Sequence, residues 1–169
     1  MSSDYVSYGG NLVLSNEGQG HLVSVMMEEK ASLRTPVRGG SMYPFIRDHD
    51  VLTIAPLGGR VLTVGDVAAF KMPGTDRLFI HRIVGRNNRG LVFKGDSLKK
   101  SSGTIPVENV LGLVVCVERD GKIVYAGLGF GKKVIALLSR SGWLVYLRRI
   151  LRFPGKIISM IYSGINNLA

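Results

Sequence analysis

The sequence predicts a mainly β protein with coiled, barrel-like antiparallel sheets, a short N-terminal helix and a basic amphipathic helical tail. Short β-branched and apolar segments alternate with turn residues over most of the chain. The chain has 22 glycines among 169 residues, nearly twice the usual ~7%, which indicates many tight turns. After Gly131 the apolar residues recur at helical spacing.

The length of 169 residues fits about one domain, and three regions are expected within it. Residues 1–14 are polar and contain glycine, which predicts a flexible N-terminus. Residues 15–130 form the predicted β domain, which begins with a short helix over residues 22–30. Residues 131–169 form the predicted helical tail, which Gly142 divides.

The predicted strands are short, and turn residues separate them. They cover residues 33–38, 51–56, 61–64, 67–71, 78–84, 91–94, 111–118 and 123–125. Asp120-Gly121 predicts a tight hairpin between the last two strands, and residues 97–104 are expected to be a polar loop. Successive short strands without intervening helices favour antiparallel sheets over βαβ units.

The net charge of +10 is concentrated near the C-terminus. Residues 121–169 contain eight Lys and Arg and no Asp or Glu, and subtracting these eight leaves +2 for residues 1–120. Such a segment suits an anionic surface. Because its bulk is Leu, Ile and Val, we expect residues 132–168 to lie on a membrane surface and expect no nucleic acid partner. The alternative is that these helices cover one side of the β core.

The sequence has no apolar window of about 18 residues and no secretory signal. A peripheral membrane or cytoplasmic location is therefore expected, with the oligomeric state left open. Cys116 is the single cysteine, so no intrachain disulfide is possible, and its apolar neighbours indicate a core residue. No cofactor is expected. Asp48-His49-Asp50 is a weak metal-ligand set, because three consecutive side chains alternate in direction.

The candidate active site consists of a serine turn and a histidine on a later strand. Gly40 precedes Ser41 and Pro44 follows it, so backbone N–H groups of the turn can converge as an oxyanion hole requires. Serine needs a base to become a nucleophile. His81 lies among apolar neighbours, because Phe79 shares its face of the predicted strand, and such burial favours the neutral imidazole.

The segments Gly40-Ser41-Met42, Pro44, His81-Arg82 and Lys94-Gly95-Asp96 together resemble the type I signal peptidases, in the branch that uses a Ser–His pair. The resemblance covers roughly residues 35–120 and implies a mostly β catalytic core. It implies a serine endopeptidase that cleaves an extended signal or leader peptide, or a preprotein, after small residues.

The resemblance also implies a role for each matching residue. Ser41 would be the nucleophile, His81 the general base and Asp96 the acid that orients the imidazole. The backbone around Met42, with Gly40 and Pro44, would form the oxyanion and substrate-binding site.

The chain departs from the family at two points. Family members often have a second aspartate where this chain has Ser101-Ser102-Gly103, and they usually have a membrane anchor. A catalytically degenerate peptidase fold that binds peptides or the membrane surface is therefore the alternative. The self-cleaving repressor relatives share the Ser-Met turn, but they use a lysine base and need a helix-turn-helix, for which residues 1–33 are too short and lack the pattern.

Overall fold

The computed structural model describes residues 28–75, 77–124 and 131–146, positions 18, 21, 23–25 and 128, and the backbone of residues 5–8 and 11–14. Ten strands lie within these residues. They are β1 (Tyr5–Tyr8), β2 (Asn11–Leu14), β3 (Leu33–Pro36), β4 (Val51–Pro56), β5 (Val67–Lys71), β6 (Leu78–Asn87), β7 (Gly90–Lys94), β8 (Gly103–Ile105), β9 (Val110–Arg119) and β10 (Lys122–Ile123). A 3-10 turn covers Val107–Asn109, and helix α1 covers Lys132–Ser141.

Eight of these strands form one antiparallel sheet in the order β3-β4-β9-β5-β6-β7-β8, with β10 beside β9. The prediction of a mainly β fold is confirmed. The predicted barrel-like closure is not found, because β3 and β8 lie at opposite ends of the strand order among the described residues. Irregular register at three strand pairs bends the sheet without closing it.

The sheet buries side chains on both faces. Along β5, Val67 and Ala69 belong to one apolar cluster, whereas Ala68 and Phe70 belong to a second. This explains why the β5 sequence is continuously apolar rather than alternating. The first cluster includes Met42 of the serine turn, and the second includes Ile83 of the strand that contains His81.

The strand predictions differ from the structure at two short segments. Residues 61–64 are not a strand: Val61 is 78% exposed, and the backbone N–H and the hydroxyl of Thr63 donate to the Asp66 carboxylate in a turn. Strand β8 overlaps the end of the expected polar loop, and its Ile105 is buried against β7. The predicted hairpin at Asp120-Gly121 is confirmed, with both residues at positive φ.

Within residues 1–14, the predicted flexible N-terminus, the described backbone forms two paired strands. Strands β1 and β2 pair in antiparallel register from Tyr5 with Leu14 to Tyr8 with Asn11. Gly9-Gly10 between two β-prone segments is a hairpin signal that the prediction overlooked. Of the predicted helix over residues 22–30, residues 23–25 and 28 are helical and residues 29–30 form a turn, whereas residues 22, 26 and 27 lie outside the described residues.

Helix α1, the first part of the predicted tail, packs against the sheet. Ala136 and Ser139 are completely buried, and the Lys132 ammonium lies 2.6 Å from the Asp66 carboxylate. The buried Lys94 ammonium donates to the Ser139 carbonyl. The predicted division at Gly142 is confirmed, because this residue ends the helix at φ 84°.

After this break, residues 143–146 are again helical. The remainder of the predicted tail, residues 147–169, lies outside the described residues. No helix in the described part of the chain has the length and apolar character needed to cross a membrane.

Candidate active site

Ser41 lies in a compact turn between β3 and β4. The amides of Phe45 and Ile46 both donate to the Met42 carbonyl at 3.1 Å, and the Met42 side chain is buried in the core. The Gly39 amide donates to the Asp48 carboxylate at 2.8 Å. Burial on one side and these hydrogen bonds on the other fix the turn and leave Ser41 half-buried at its tip.

The segment after β7 packs on the serine turn and is hydrogen-bonded to it. The amide of Ser97 donates to the Ser41 carbonyl at 2.9 Å, and its hydroxyl donates to the Gly40 carbonyl at 2.6 Å. A Cβ atom at Gly95 would lie 2.8 Å from the Ser41 carbonyl oxygen. The Lys94-Gly95-Asp96 motif therefore packs directly on the serine motif, and only glycine fits at its centre.

His81 lies on β6 with its ring directed toward Ser41. The distance from His81 Nε2 to Ser41 Oγ is 3.2 Å, so the structure brings the predicted nucleophile and base together. The Phe70 and Phe79 ring centroids lie 6.0 and 6.2 Å from the imidazole, and His81 is only 5% exposed. This burial lowers the pKa of His81 from 6.5 to about 4, because burial disfavours the charged imidazolium. The ring is thus a neutral base near pH 7.

The Asp96 carboxylate bonds to Arg82 and not to His81, contrary to the expectation from the sequence. Its carboxylate accepts hydrogen bonds from Arg82 Nε at 2.9 Å and Nη2 at 2.7 Å. Since successive side chains of a strand point to opposite faces, Arg82 lies on the other side of β6 from His81 and takes Asp96 with it. The expectation that Asp96 orients His81 is corrected by this geometry: Asp96 neutralises a buried guanidinium.

The position next to His81 Nδ1 is occupied by a hydroxyl. Ser102 Oγ lies 2.7 Å from Nδ1, and the Ser102 amide donates to the Phe93 carbonyl of β7 at 2.8 Å. In the sequence, this region stands out only because it lacks the second aspartate of the resembling family. That departure was the signal for Ser102, because a serine oxygen can accept a hydrogen bond where a carboxylate would.

The residues expected to form the oxyanion site lie within the serine turn. The Gly40 carbonyl accepts the Tyr43 amide at 3.3 Å, and Pro44, with a cis peptide bond before it, has no N–H to offer. Among the described residues, the N–H groups of Ser41 and Met42 donate to no acceptor. These two N–H groups are therefore the candidate oxyanion donors.

A cleft of about 340 Å³ opens beside Ser41 and His81. Its walls include Thr35 and Pro36 of β3, the chain that leads from β3 to Ser41, and apolar side chains such as Met42 and Ile80. Strand β3 ends the strand order, so one edge of the sheet borders the cleft. An extended chain placed there would pass both the hydroxyl and the imidazole.

The Asp48-His49-Asp50 segment supports the turn, and of its side chains only Asp48 and His49 contact each other, with Asp48 Oδ2 3.3 Å from His49 Nε2. Asp48 bonds to the Gly39 amide, whereas Asp50 is buried and accepts Arg119 Nη2 at 2.7 Å. Within the described residues, no three His, Cys, Asp or Glu side chains form a group that could hold a metal ion.

Comparison of the chain with family models, with curated proteins and with solved structures found no match. The resemblance to the type I signal peptidases therefore depends on the motif residues themselves, and the contacts among these residues support a functional proposal.

Proposed function

We propose that the protein is a serine endopeptidase of the signal-peptidase type, which cleaves an extended signal or leader peptide after small residues. The observation that carries this proposal is the 3.2 Å distance between Ser41 Oγ and His81 Nε2 at the wall of a cleft. A neutral imidazole beside a serine hydroxyl is the pair that nucleophilic catalysis near neutral pH requires.

In the proposed reaction, His81 Nε2 takes the proton of Ser41 Oγ while this oxygen attacks the scissile carbonyl carbon. The resulting oxyanion accepts hydrogen bonds from the N–H groups of Ser41 and Met42. The His81 imidazolium then gives its proton to the leaving amine, which releases the first product. A water molecule, deprotonated by His81, hydrolyses the acyl-enzyme and restores Ser41.

The cleft supports a peptide substrate in the extended conformation. The edge of β3 can pair with such a chain through backbone hydrogen bonds. This pairing selects an extended backbone and does not depend on which side chains the substrate has. Met42 and Ile80 contribute apolar surface to the cleft, which suits small apolar side chains near the scissile bond.

We also propose that the membrane surface is a partner, through residues 132–168. The described part of this segment has an outward apolar surface next to basic side chains. Its members are Val134, Leu137, Leu138, Trp143 and Tyr146, with Lys133 and Arg140 exposed beside them. Aromatic and apolar side chains at such positions insert at the headgroup level, and the basic ones attract anionic lipid.

A degenerate peptidase fold that binds peptides without cleaving them is the second candidate. One observation favours it: the third position of the site is a serine hydroxyl and not a carboxylate. An orienting carboxylate contributes about 10⁴-fold to turnover where one is present. Binding without cleavage would use the same cleft and the same edge strand.

The test is cleavage of peptide libraries that place small residues before the scissile bond, read by mass spectrometry. We expect Ser41→Ala to abolish cleavage and a serine-acylating fluorophosphonate to label Ser41. Ser101→Ala is the matched control, because Ser101 is an exposed serine outside the contacts of the site. Peptide binding without cleavage or labelling by the wild-type chain would favour the degenerate alternative.

A further inference from the structure

We propose that Ser102 is the positioning residue of this active site and holds the His81 imidazole through a hydrogen bond at Nδ1. The site is then a charge-neutral arrangement of Ser41, His81 and Ser102. Resting on the proposed endopeptidase function, this assignment gives a role to a residue outside the resembling motifs. In a Ser-His-Asp triad the same place is taken by a carboxylate. Here Asp96, the carboxylate that the resemblance assigned to this place, is bonded to Arg82 instead.

The geometry places the imidazole between two hydroxyl groups. Ser102 Oγ is 2.7 Å from Nδ1, and Ser41 Oγ is 3.2 Å from Nε2. The shorter contact is the one on the positioning side. Ser102 is itself fixed by the sheet, because its amide donates to the Phe93 carbonyl and the next residue, Gly103, pairs with Phe93 at the start of β8. A residue tied to the sheet in this way can define the orientation of the ring.

The hydroxyl has a chemical consequence that a carboxylate does not have. A carboxylate only accepts hydrogen bonds, so it selects the tautomer with a proton on Nδ1 and a free lone pair on Nε2. Ser102 can accept from Nδ1–H, which leaves Nε2 ready for the Ser41 proton. It can also donate to a bare Nδ1, and then Nε2 bears the proton and cannot act as the base. Ser102 therefore orients the ring but selects its tautomer only weakly.

The charged groups around the ring do not compensate for the missing carboxylate. Strands β5 and β6 present Phe70 and Phe79 to it. Arg38, a charged residue of the cleft wall, is exposed and contacts His49. Lys99 and Lys100, in the loop before Ser102, are exposed.

The Arg82–Asp96 pair lies behind the strand and does not face the imidazole. Because no carboxylate among the described residues faces the ring, the imidazole remains neutral at mildly acidic pH, and its burial acts in the same direction.

The experiment is ¹⁵N NMR of the three histidines across a pH titration, combined with steady-state kinetics on the full chain. The His81 signals are assigned by their loss in His81→Gln. We expect Ser102→Ala to shift both His81 nitrogen signals and their tautomer balance. We also expect it to lower kcat about tenfold, the factor that one neutral hydrogen bond supports, with little change in KM.

Two further variants separate positioning from simple packing. Ser102→Thr keeps the hydroxyl and should restore the wild-type His81 spectrum and kcat. Ser102→Asp supplies the carboxylate and should raise the pKa of His81 by about 1–3 units, which moves the acidic limb of the kcat/KM profile upward by the same amount. Ser101→Ala should change neither measurement.

Identical His81 spectra and titrations in the wild type and Ser102→Ala would overturn the assignment, whatever the activity. If the wild type cleaves no peptide but Ser102→Ala still changes the His81 spectrum as expected, the proposed endopeptidase function is contradicted and the role of Ser102 is supported. The NMR spectra thus test the role of Ser102, and the kinetics test the endopeptidase function, independently of each other.

Discussion

Arg82 and Asp96 form an ion pair that the protein encloses completely. Both side chains have 0% exposure, and Arg82 Nη2 lies 2.7 Å from Asp96 Oδ2. The guanidinium also donates to the Gly65 carbonyl at 2.9 Å and lies over the Phe45 ring, 5.4 Å from its centroid. One pair therefore connects strand β6, the segment after β7, the turn before β5 and the serine turn.

Asp96→Asn should destabilise the protein by about 3–5 kcal/mol, because it leaves a buried guanidinium without its counter-charge. Urea unfolding measures this loss. The control is Glu118→Gln, which removes the partner of Arg34 in an exposed pair and should change the stability little. An Asp96→Asn protein of wild-type stability but strongly reduced kcat would instead return Asp96 to a catalytic role.

Gly95→Ala should displace the serine turn. Its Cβ would lie 2.8 Å from the Ser41 carbonyl oxygen and 2.9 Å from the Leu98 side chain, and backbone at that distance must move. A displacement near 1 Å at the nucleophile costs about 100-fold in rate, so we expect kcat to fall by about that factor.

The matched control for this change is Gly85→Ala on β6. A Cβ at Gly85 would meet Val92 at 3.8 Å, which is ordinary contact, and cleavage should be unaffected. Equal kcat values in the two variants would show that the approach of residue 95 to Ser41 does not set the nucleophile position.

Stability should fall as the pH decreases through the range of His81. The folded protein holds the pKa of His81 at about 4, below the unfolded value of 6.5, so the unfolded chain binds the proton more tightly. The free energy of unfolding is therefore unaffected by this group above about pH 6.5. It falls by about 3 kcal/mol in total as the pH decreases from there to about 4. Urea unfolding across this range measures it. His81→Gln should remove this component, and an unchanged pH profile in that variant would assign the effect to other groups.

Ala136→Lys should detach helix α1 from the sheet. Ala136 is completely buried, and a charged side chain there should lower the free energy of unfolding by about 3 kcal/mol. Leu137→Lys is the neighbouring control, because Leu137 is 67% exposed and should tolerate the change within about 0.5 kcal/mol. If both variants are as stable as the wild type, α1 contributes nothing to the core.

Binding to anionic vesicles should depend on the outward surface of the C-terminal helices. We expect the double variant Leu137→Ser, Trp143→Ser to fold normally and to float poorly with vesicles, because it loses the apolar side chains that would insert. Binding of the wild type should weaken as salt rises, since the charge attraction is screened. Val61→Ser, which removes an exposed apolar side chain elsewhere, should bind like the wild type, and equal flotation of all three proteins would refute the membrane proposal.

Local residue patterns were sufficient for much of the sheet. Strands β4 and β5 have the predicted bounds, because β-branched and apolar runs lie between turn residues there. Gly142 ends α1 as predicted, because glycine readily adopts positive φ. Strand β8 was missed because three residues in a polar segment have little pattern of their own, and pairing with β7 is what makes them a strand.

The candidate site divides in the same way. Motif order and residue type were enough to select Ser41 and His81, since a nucleophile and its base are limited to a few side chains. Which group reaches the other imidazole nitrogen was decided by the tertiary structure. Adjacent residues of β6 face opposite sides of the sheet, so Arg82 takes the nearby aspartate into the core, and the path of the chain into β8 brings Ser102 to His81.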